Sequence, residues 1–357
     1  MIQSPVVESG SRQSGEVVRV GLVGAGFVAQ VVHLPHLADT PGFRVVALAE
    51  PDPDVRATVA TRYGVPAAFA TQEEMHAAVG LDAVLVCSPN VTHAGAVVAA
   101  LEAGCHVLVE KPLCLDLDGA DRVIDARDRA GRVVQVAYMK RFDPAYEALL
   151  DDLTEGGDEL AYVATVTVDP GLTEHFGPYA APAGRAAGDP GDRLLSDGFM
   201  GALVHDVNAV HGILDTLGVD HGEARVVDGF GHPAATLAGG TTVLPGGLRW
   251  SMAWAQIPQA GTFDERIELL GSHGVRRLEF PAPYLRQSPT AYTWVRRDPP
   301  GSVQRTFRSW RESYARQLEH FHACIVHGAQ CLTPPEQARA DIALLAALHE
   351  ATLAAAA

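Results

Sequence analysis

The sequence predicts an α/β chain in two parts. A doubly wound parallel sheet is expected over residues 16–140, and an α+β region with a mostly antiparallel sheet over 141–357. Three observations predict this. From Val17 onward, short and nearly continuous apolar runs alternate with longer Ala-rich helical patterns, which is how a parallel sheet covered on both faces reads. A glycine-rich turn closes the first of these runs. After Arg141 the runs lengthen, and two of them are joined by a Leu-Pro-Gly-Gly turn instead of a helix.

The elements follow in order. "VVRVGLVG" is a strand leading into a helix toward Ala38, and "FRVVALAE" is a strand with a helix through Tyr63. "DAVLVCSP" precedes a helix from Thr92 to Ala103; "HVLVEKP" precedes one from Asp116 to Ala130; "VVQVAYM" is the next strand. Right-handed crossovers then favour a doubly wound sheet. In the second part, "RFDPAYEALLDDL" is a helix and "LAYVATVTVD" a strand. "GGTTVLPGGLRWSMAWAQ" is a hairpin, and "FDERIELLGSHGVRRLEF" carries further strand pattern. Helices near Ser309–His327 and Pro335–Ala355 close the chain. Residues 1–15 are expected as a disordered leader. Residues 171–201, rich in Gly and Pro, are expected as a long loop, functional or disordered.

Composition narrows the function. A formal charge of −16 repels phosphate backbones and argues against nucleic acid. No apolar run reaches membrane-spanning length, so a small soluble substrate is the expected partner. Five cysteines without a CxxC spacing read as reduced thiols in a cytoplasmic protein. The pairs His320-x-His322 and His33-x-x-His36 lack a third ligand nearby, and no metal is expected.

The turn after the first strand is Gly24-x-Gly26-x-x-Ala29, with Phe27 and Val28 inside it. Gly24 permits the tight turn, Gly26 leaves room for a pyrophosphate, and Ala29 allows close helix packing. Glu50 ends the second strand, where a carboxylate accepts ribose hydroxyl bonds and repels a 2′-phosphate, favouring NAD over NADP. The alternative is a solvated surface acid. Ligands of open α/β sheets bind beyond the carboxyl ends of the strands. "CSPN" and "EKP" stand at two such ends, so Ser88, Pro89, Asn90, Glu110 and Lys111 are expected at the cleft. The chain has 27 Lys and Arg, of which only Lys111 and Lys140 are Lys. An ammonium can give up a proton where a guanidinium cannot, so Lys111 reads as a catalytic or polarising group, with an ion pair to Glu110 as the alternative.

"VGAGFVA…HLPHL", "CSPN…H" (the His being His93), "EKPL" and "AYMKRFDPAY" together resemble the Gfo/Idh/MocA family, the glucose–fructose oxidoreductase and inositol dehydrogenase group. The resemblance covers most of residues 17–350. It implies a Rossmann domain followed by an open-faced sheet that often makes oligomer contacts, hence a homodimer or homotetramer. It also implies NAD(P)-linked oxidation or reduction of a carbinol on sugars, inositols and related polyols. The family's EKP lysine falls on Lys111, and its proton-transferring His on His205. The family's acid four positions earlier is here Gly201, which leaves the orientation of His205 to be explained.

The residues support a separate reading of that helix. Leu203, Val207, Val210, Leu214 and Leu217 form an apolar stripe. At about 100° per residue His205 points away from it, with Asn208 beside it and His211 at its flank. His211 is the alternative catalytic histidine or a substrate contact. Tyr138, Arg141, Asn208 and, in the long loop, Tyr179, Arg185 and Arg193 are the remaining candidate substrate contacts. The expected chemistry is hydride transfer between nicotinamide C4 and a carbinol carbon, with His205 taking the hydroxyl proton and Lys111 stabilising the alkoxide. The rivals are transient oxidation without net redox, a ketone or imine reductase, and a catalytically silent NAD-binding regulator.

Overall fold

The fold is built on two sheets. The computed structural model describes residues 17–157, 159–171, 179, 193–232 and 234–356. The expected leader and Arg185 lie outside them. The first sheet is parallel, with strands β1 (Val18–Val23), β2 (Phe43–Ala49), β3 (Ala67–Phe69), β4 (Ala83–Val86), β5 (His106–Val109) and β6 (Val134–Val136). Their order is β3-β2-β1-β4-β5-β6, the doubly wound arrangement with its crevice between β1 and β4.

Its helices begin and end where local chemistry directs. After a π-helical turn at Ala29–His33, α1 (Leu34–Asp39) leads to β2. Helix α2 (Pro53–Tyr63) is capped by Asp52, which accepts from the Asp54 and Val55 amides, and ends at left-handed Gly64. Such a cap is worth about 1 kcal/mol. The short α3 (Gln72–Ala78), like β3, is too brief to show a period in the sequence. Helix α4 (His93–Glu102) follows β4. Helix α5 (Leu117–Ala130) is capped by Asp116 through the Gly119 amide at 2.6 Å and stops at Gly131.

Helix α6 (Pro144–Gly156) leads into the second sheet. That sheet holds β7 (Leu160–Asp169), β8 (Arg225–Gly231), β9 (Leu237–Val243), β10 (Arg249–Gln256), β11 (Asp264–Gly271), β12 (Gly274–Phe280), β13 (Ala291–Asp298) and β14 (Gly301–Arg308). The order is β14-β13-β12-β11-β7-β10-β9-β8, antiparallel except where β10 runs parallel to β7. The Leu-Pro-Gly-Gly hairpin joins β9 to β10.

Between β7 and β8 the chain forms a π-helical segment, Leu194–Leu203, continued by α7 (Val204–Thr216). This corrects the expectation of a loop through residue 201: local Gly content hid a segment that buries Leu194, Phe199, Met200 and Leu203. Helices α8 (Ser313–His327) and α9 (Pro335–Ala356) complete the fold. Helix α7 has contacts on more than one side. Val207, Val210 and Leu214 belong to the main core, and Asn208 and His211 face α9.

Candidate functional site

The crevice is shaped first by glycines. Gly24 has φ +84°, and a Cβ there would lie 2.6 Å from the Ser88 amide nitrogen, so only glycine lets the β1 turn approach the end of β4. A Cβ on Gly26 would meet nothing within 4 Å. That opening is the room a dinucleotide pyrophosphate needs. The Glu50 carboxylate is buried and turned toward this turn, accepting from the Ala25 amide at 2.9 Å and the Asp52 amide at 3.1 Å. It is therefore not the solvated surface acid of the alternative reading. Phe27 sits edge-on between Tyr179 and Tyr284, its ring centre 6.1 and 5.0 Å from theirs.

From there a cleft of about 490 Å³ runs between the two sheets, lined by Val28, Ser88, Asn90, His93, Glu110, Lys111, Arg193 and His205 among the expected residues. His93 is buried, with its ring nitrogens 2.7 Å from the Pro112 and Ser88 carbonyls, and so ties the ends of β4 and β5 together. Glu110 accepts from His33 at 2.6 Å. Burial pushes its carboxyl up, but the His33 bond and charge, with Lys111 and His93, outweigh this and hold its pKa below the ordinary value.

Lys111 donates from Nζ to the Gly201 carbonyl at 2.6 Å, and only its backbone amide reaches Glu110. The expected alternative, a direct side-chain ion pair with Glu110, is thus not formed. Burial lowers the ammonium pKa, Glu110 opposes, and Lys140 lowers it further. Gly201 is one helical turn ahead of His205, so the lysine and the histidine face one space. Burial first, then the Lys111 and Lys140 charges, hold His205 well below its ordinary pKa, and the ring is neutral. Its Nδ1 is buried without a partner.

Other expected contacts lie elsewhere. Tyr138 is 1% exposed and packed in the main core. Arg141 turns away to Gln337, 3.2 Å distant, with its guanidinium 5.9 Å over the Tyr146 ring. Asn208 and His211 both bond Asp341, at 2.8 and 2.6 Å, and His211 stacks on His221 at 3.9 Å. The physical reason is common to all four: α9 covers the side of α7 that a one-stripe reading leaves to the solvent. Tyr179 packs on Phe27 with Arg62 5.6 Å over its ring, on the side of the glycine turn. Gly24, Gly26, Phe27, Ala29, Glu50 and Pro89 flank the cleft instead of lining it.

Several cleft features escaped the sequence reading. Lys140, 2% exposed, donates to Asp206 and Glu265, each at 2.7 Å, and Thr167 bonds Asp206 at 3.1 Å. Glu265 lines the cleft with Asp169, Asp197, Tyr284 and Tyr314. The scarcity of lysine that singled out Lys111 was a signal for Lys140 as well. Of the two histidine pairs, His33 and His36 serve carboxylates: His33 meets Glu110, and His36 meets Glu312 at 3.1 Å. Among the described residues no three metal-binding side chains converge. None of their helices is long and apolar enough to cross a membrane.

Residues 18–138 match the oxidoreductase family with the NAD-binding Rossmann fold, GFO_IDH_MocA. The inositol 2-dehydrogenase/D-chiro-inositol 3-dehydrogenase of Shouchella clausii is 40% identical over 141 residues, 39% of this chain. The match spans 40% of that relative's length, well under two thirds of it. The inositol 2-dehydrogenase of Rhizobium meliloti is 26% identical over 333 residues, covering 92% of this chain and 94% of the relative. A 3-ketoreductase from Actinomadura kijaniata, solved with NADP and TDP-benzene, shares the fold with a TM-score of 0.76, 20% identity and coverage of 94% and 97%. The glycine turn and the EKP strand end thus lie in the part of the chain, residues 18–138, that matches the Gfo/Idh/MocA oxidoreductase family with its NAD-binding Rossmann fold.

Proposed function

We propose that this chain is an NAD-dependent dehydrogenase of a sugar, inositol or related polyol. A nicotinamide dinucleotide held along the glycine turn supplies or takes up the hydride at a carbinol carbon. The residues that hold it are Gly24, Gly26, Phe27, Val28 and Ala29 at the pyrophosphate, Glu50 at the ribose, and Ser88, Pro89, Asn90 and His93 at the cleft end. The Glu50 carboxylate disfavours a 2′-phosphate, which supports NAD.

The observation that carries the reading is the shared face of Lys111 and His205, with Nζ bonded one turn ahead of the imidazole. A neutral His205 is ready to accept the hydroxyl proton as hydride leaves. Lys111, released from the Gly201 carbonyl, donates to the same oxygen and stabilises its developing charge. Arg193 and Glu265 offer the polar contacts that orient hydroxyls in the cleft. The chain works in the cytoplasm as a dimer or tetramer, in the manner of an open-faced second sheet.

The test is Lys111→Ala assayed with NAD and a polyol panel. Turnover falls by about 10²–10⁴-fold while NAD affinity holds, the range for a lost proton-handling group. Unchanged turnover overturns the assignment. NADH formed in stoichiometric amount distinguishes net oxidation from transient oxidation.

A further inference from the structure

The end of α8 holds a group of side chains that the proposed reaction does not use. The helix stops at Gly328 in the left-handed region, φ +65°, and the Ala329 amide bonds back to the Ala323 carbonyl at 3.2 Å. The chain therefore turns back along the last turns of its own helix. Two contacts fix where it lands. The Leu332 amide donates to Nε2 of His320 at 3.1 Å, and the Cys324 Sγ lies 3.3 Å from the same nitrogen. Cys331 directly precedes Leu332; its Sγ donates to the Val134 carbonyl at 3.6 Å and lies near enough to the Cys324 thiol for the two to perturb each other's ionisation. One thiol touches the imidazole, and the second follows in the segment that the imidazole holds.

We propose that Cys324 and Cys331 form a reversible disulfide site, in which Cys324 reacts with hydrogen peroxide, His320 takes its proton, and Cys331 resolves the product. Because the Leu332 amide donates to it, Nε2 is the unprotonated ring nitrogen, and its one lone pair is shared between that amide and the Cys324 thiol 3.3 Å away; taking the thiol proton releases the Leu332 bond. The nearby Cys331 thiol and His320 hold the Cys324 thiol down at about 5, against burial, while the proximity of Cys324 raises Cys331. Burial pushes Cys87, Cys105 and Cys114 up instead, so the site is selective within the chain. Cys324 is 4% exposed, but Cys331 is half-buried and Leu332 is exposed, leaving a way in for a molecule as small as peroxide.

The chemistry balances. The Cys324 thiolate attacks one peroxide oxygen, an S–O bond forms, the O–O bond breaks, and the departing hydroxide takes the proton held by His320 to become water. The Cys331 sulfur then attacks Cys324 Sγ, the S–S bond forms, and the S–O bond breaks. The second hydroxide leaves with the Cys331 proton as water. Two thiols lose two electrons in all, and one peroxide is reduced to two waters.

The experiment treats the reduced full-length protein with equimolar hydrogen peroxide and maps its peptides without reduction. The expected result is a 324–331 crosslink that a dithiol reductant reverses. Cys331→Ser, checked for an unchanged melting curve, gives no crosslink and accumulates a sulfenic acid at Cys324 that dimedone traps. His320→Gln slows crosslinking at least about tenfold at pH 7, because less of Cys324 is thiolate. Oxidation of Cys87, Cys105 or Cys114 ahead of Cys324 overturns the proposal. So does passage of wild-type Cys324 to sulfinic acid without a crosslink. Neither outcome bears on Lys111 or His205.

Discussion

Replacing Lys140 by Met keeps its length and removes its charge. In the native chain the ammonium sits between Asp206 and Glu265 at 2.7 Å from each, and these residues are 2%, 1% and 8% exposed. Burial lowers the lysine pKa, but the two carboxylates outweigh it and hold the group charged. Breaking a buried pair by deleting one partner costs about 3–5 kcal/mol, because the remaining charge stays buried without compensation. Here two carboxylates are left, and Thr167 satisfies only part of Asp206. At roughly 2–3 °C per kcal/mol for a chain of this size, the melting temperature falls by about 6–15 °C. The sign of the pH dependence follows. Facing each other without a cation, the two carboxyls have folded pKa values above their unfolded ones, so protonation favours the folded state and the deficit shrinks as pH falls. Urea unfolding of wild type and Lys140→Met at pH 5.5 and 8 measures this. A deficit below about 1 kcal/mol, or one that does not change with pH, refutes the reasoning.

Other perturbations address the cleft and its supports. Gly26→Ala is expected to weaken dinucleotide binding at least about tenfold while the melting curve of the free protein stays put, since the added methyl meets only open space; calorimetric titration with NAD checks it. Asp341→Ala strands the buried donors of Asn208 and His211, at a cost of about 2–5 kcal/mol in urea unfolding, and leaves KM for the polyol within about twofold. The acid limb of kcat/KM is expected well below pH 6.5 in the wild type, because His205 is held neutral. Gly201→Asp, whose Cβ stands 3.0 Å from the Ser196 carbonyl, moves that limb to higher pH by placing a carboxylate one turn from the ring. An unmoved limb removes His205 from the proton transfer.

The first sheet was legible because each of its long strands is a continuous apolar run and each long helix repeats at its own period. The glycine turn, the end of β4 and the end of β5 are local in sequence, so their convergence followed from the rule about carboxyl ends of strands. What stayed hidden is non-local. Lys140 meets Asp206 and Glu265 across 66 and 125 residues, and no period reports such a pairing. Asn208 and His211 were misplaced for the same reason: their partner Asp341 lies 133 and 130 residues on, in a helix that covers the side of α7 left open by its apolar stripe. The π-helical segment before α7 was obscured by its setting, a stretch rich in glycine and proline whose helical end buries Phe199 and Met200.

A neutral histidine in a cleft can be prepared in two ways. A carboxylate can orient one ring nitrogen, which also raises the affinity for a proton; or burial and nearby cations can expel the proton, leaving orientation to packing. With Nδ1 unpartnered and burial and two lysine charges acting on the ring, this chain takes the second way. The choice also accounts for its two lysines. Lys111 ends on a backbone carbonyl at 2.6 Å at the cleft wall, where a compact ammonium makes one bond and a planar guanidinium would need partners for more donors. Lys140 fills a space between two carboxylates at 2.7 Å each, where a compact point charge fits and a planar fork of five donors would leave several unsatisfied. In a chain that otherwise writes positive charge as arginine, both exceptions act electrically on the same imidazole.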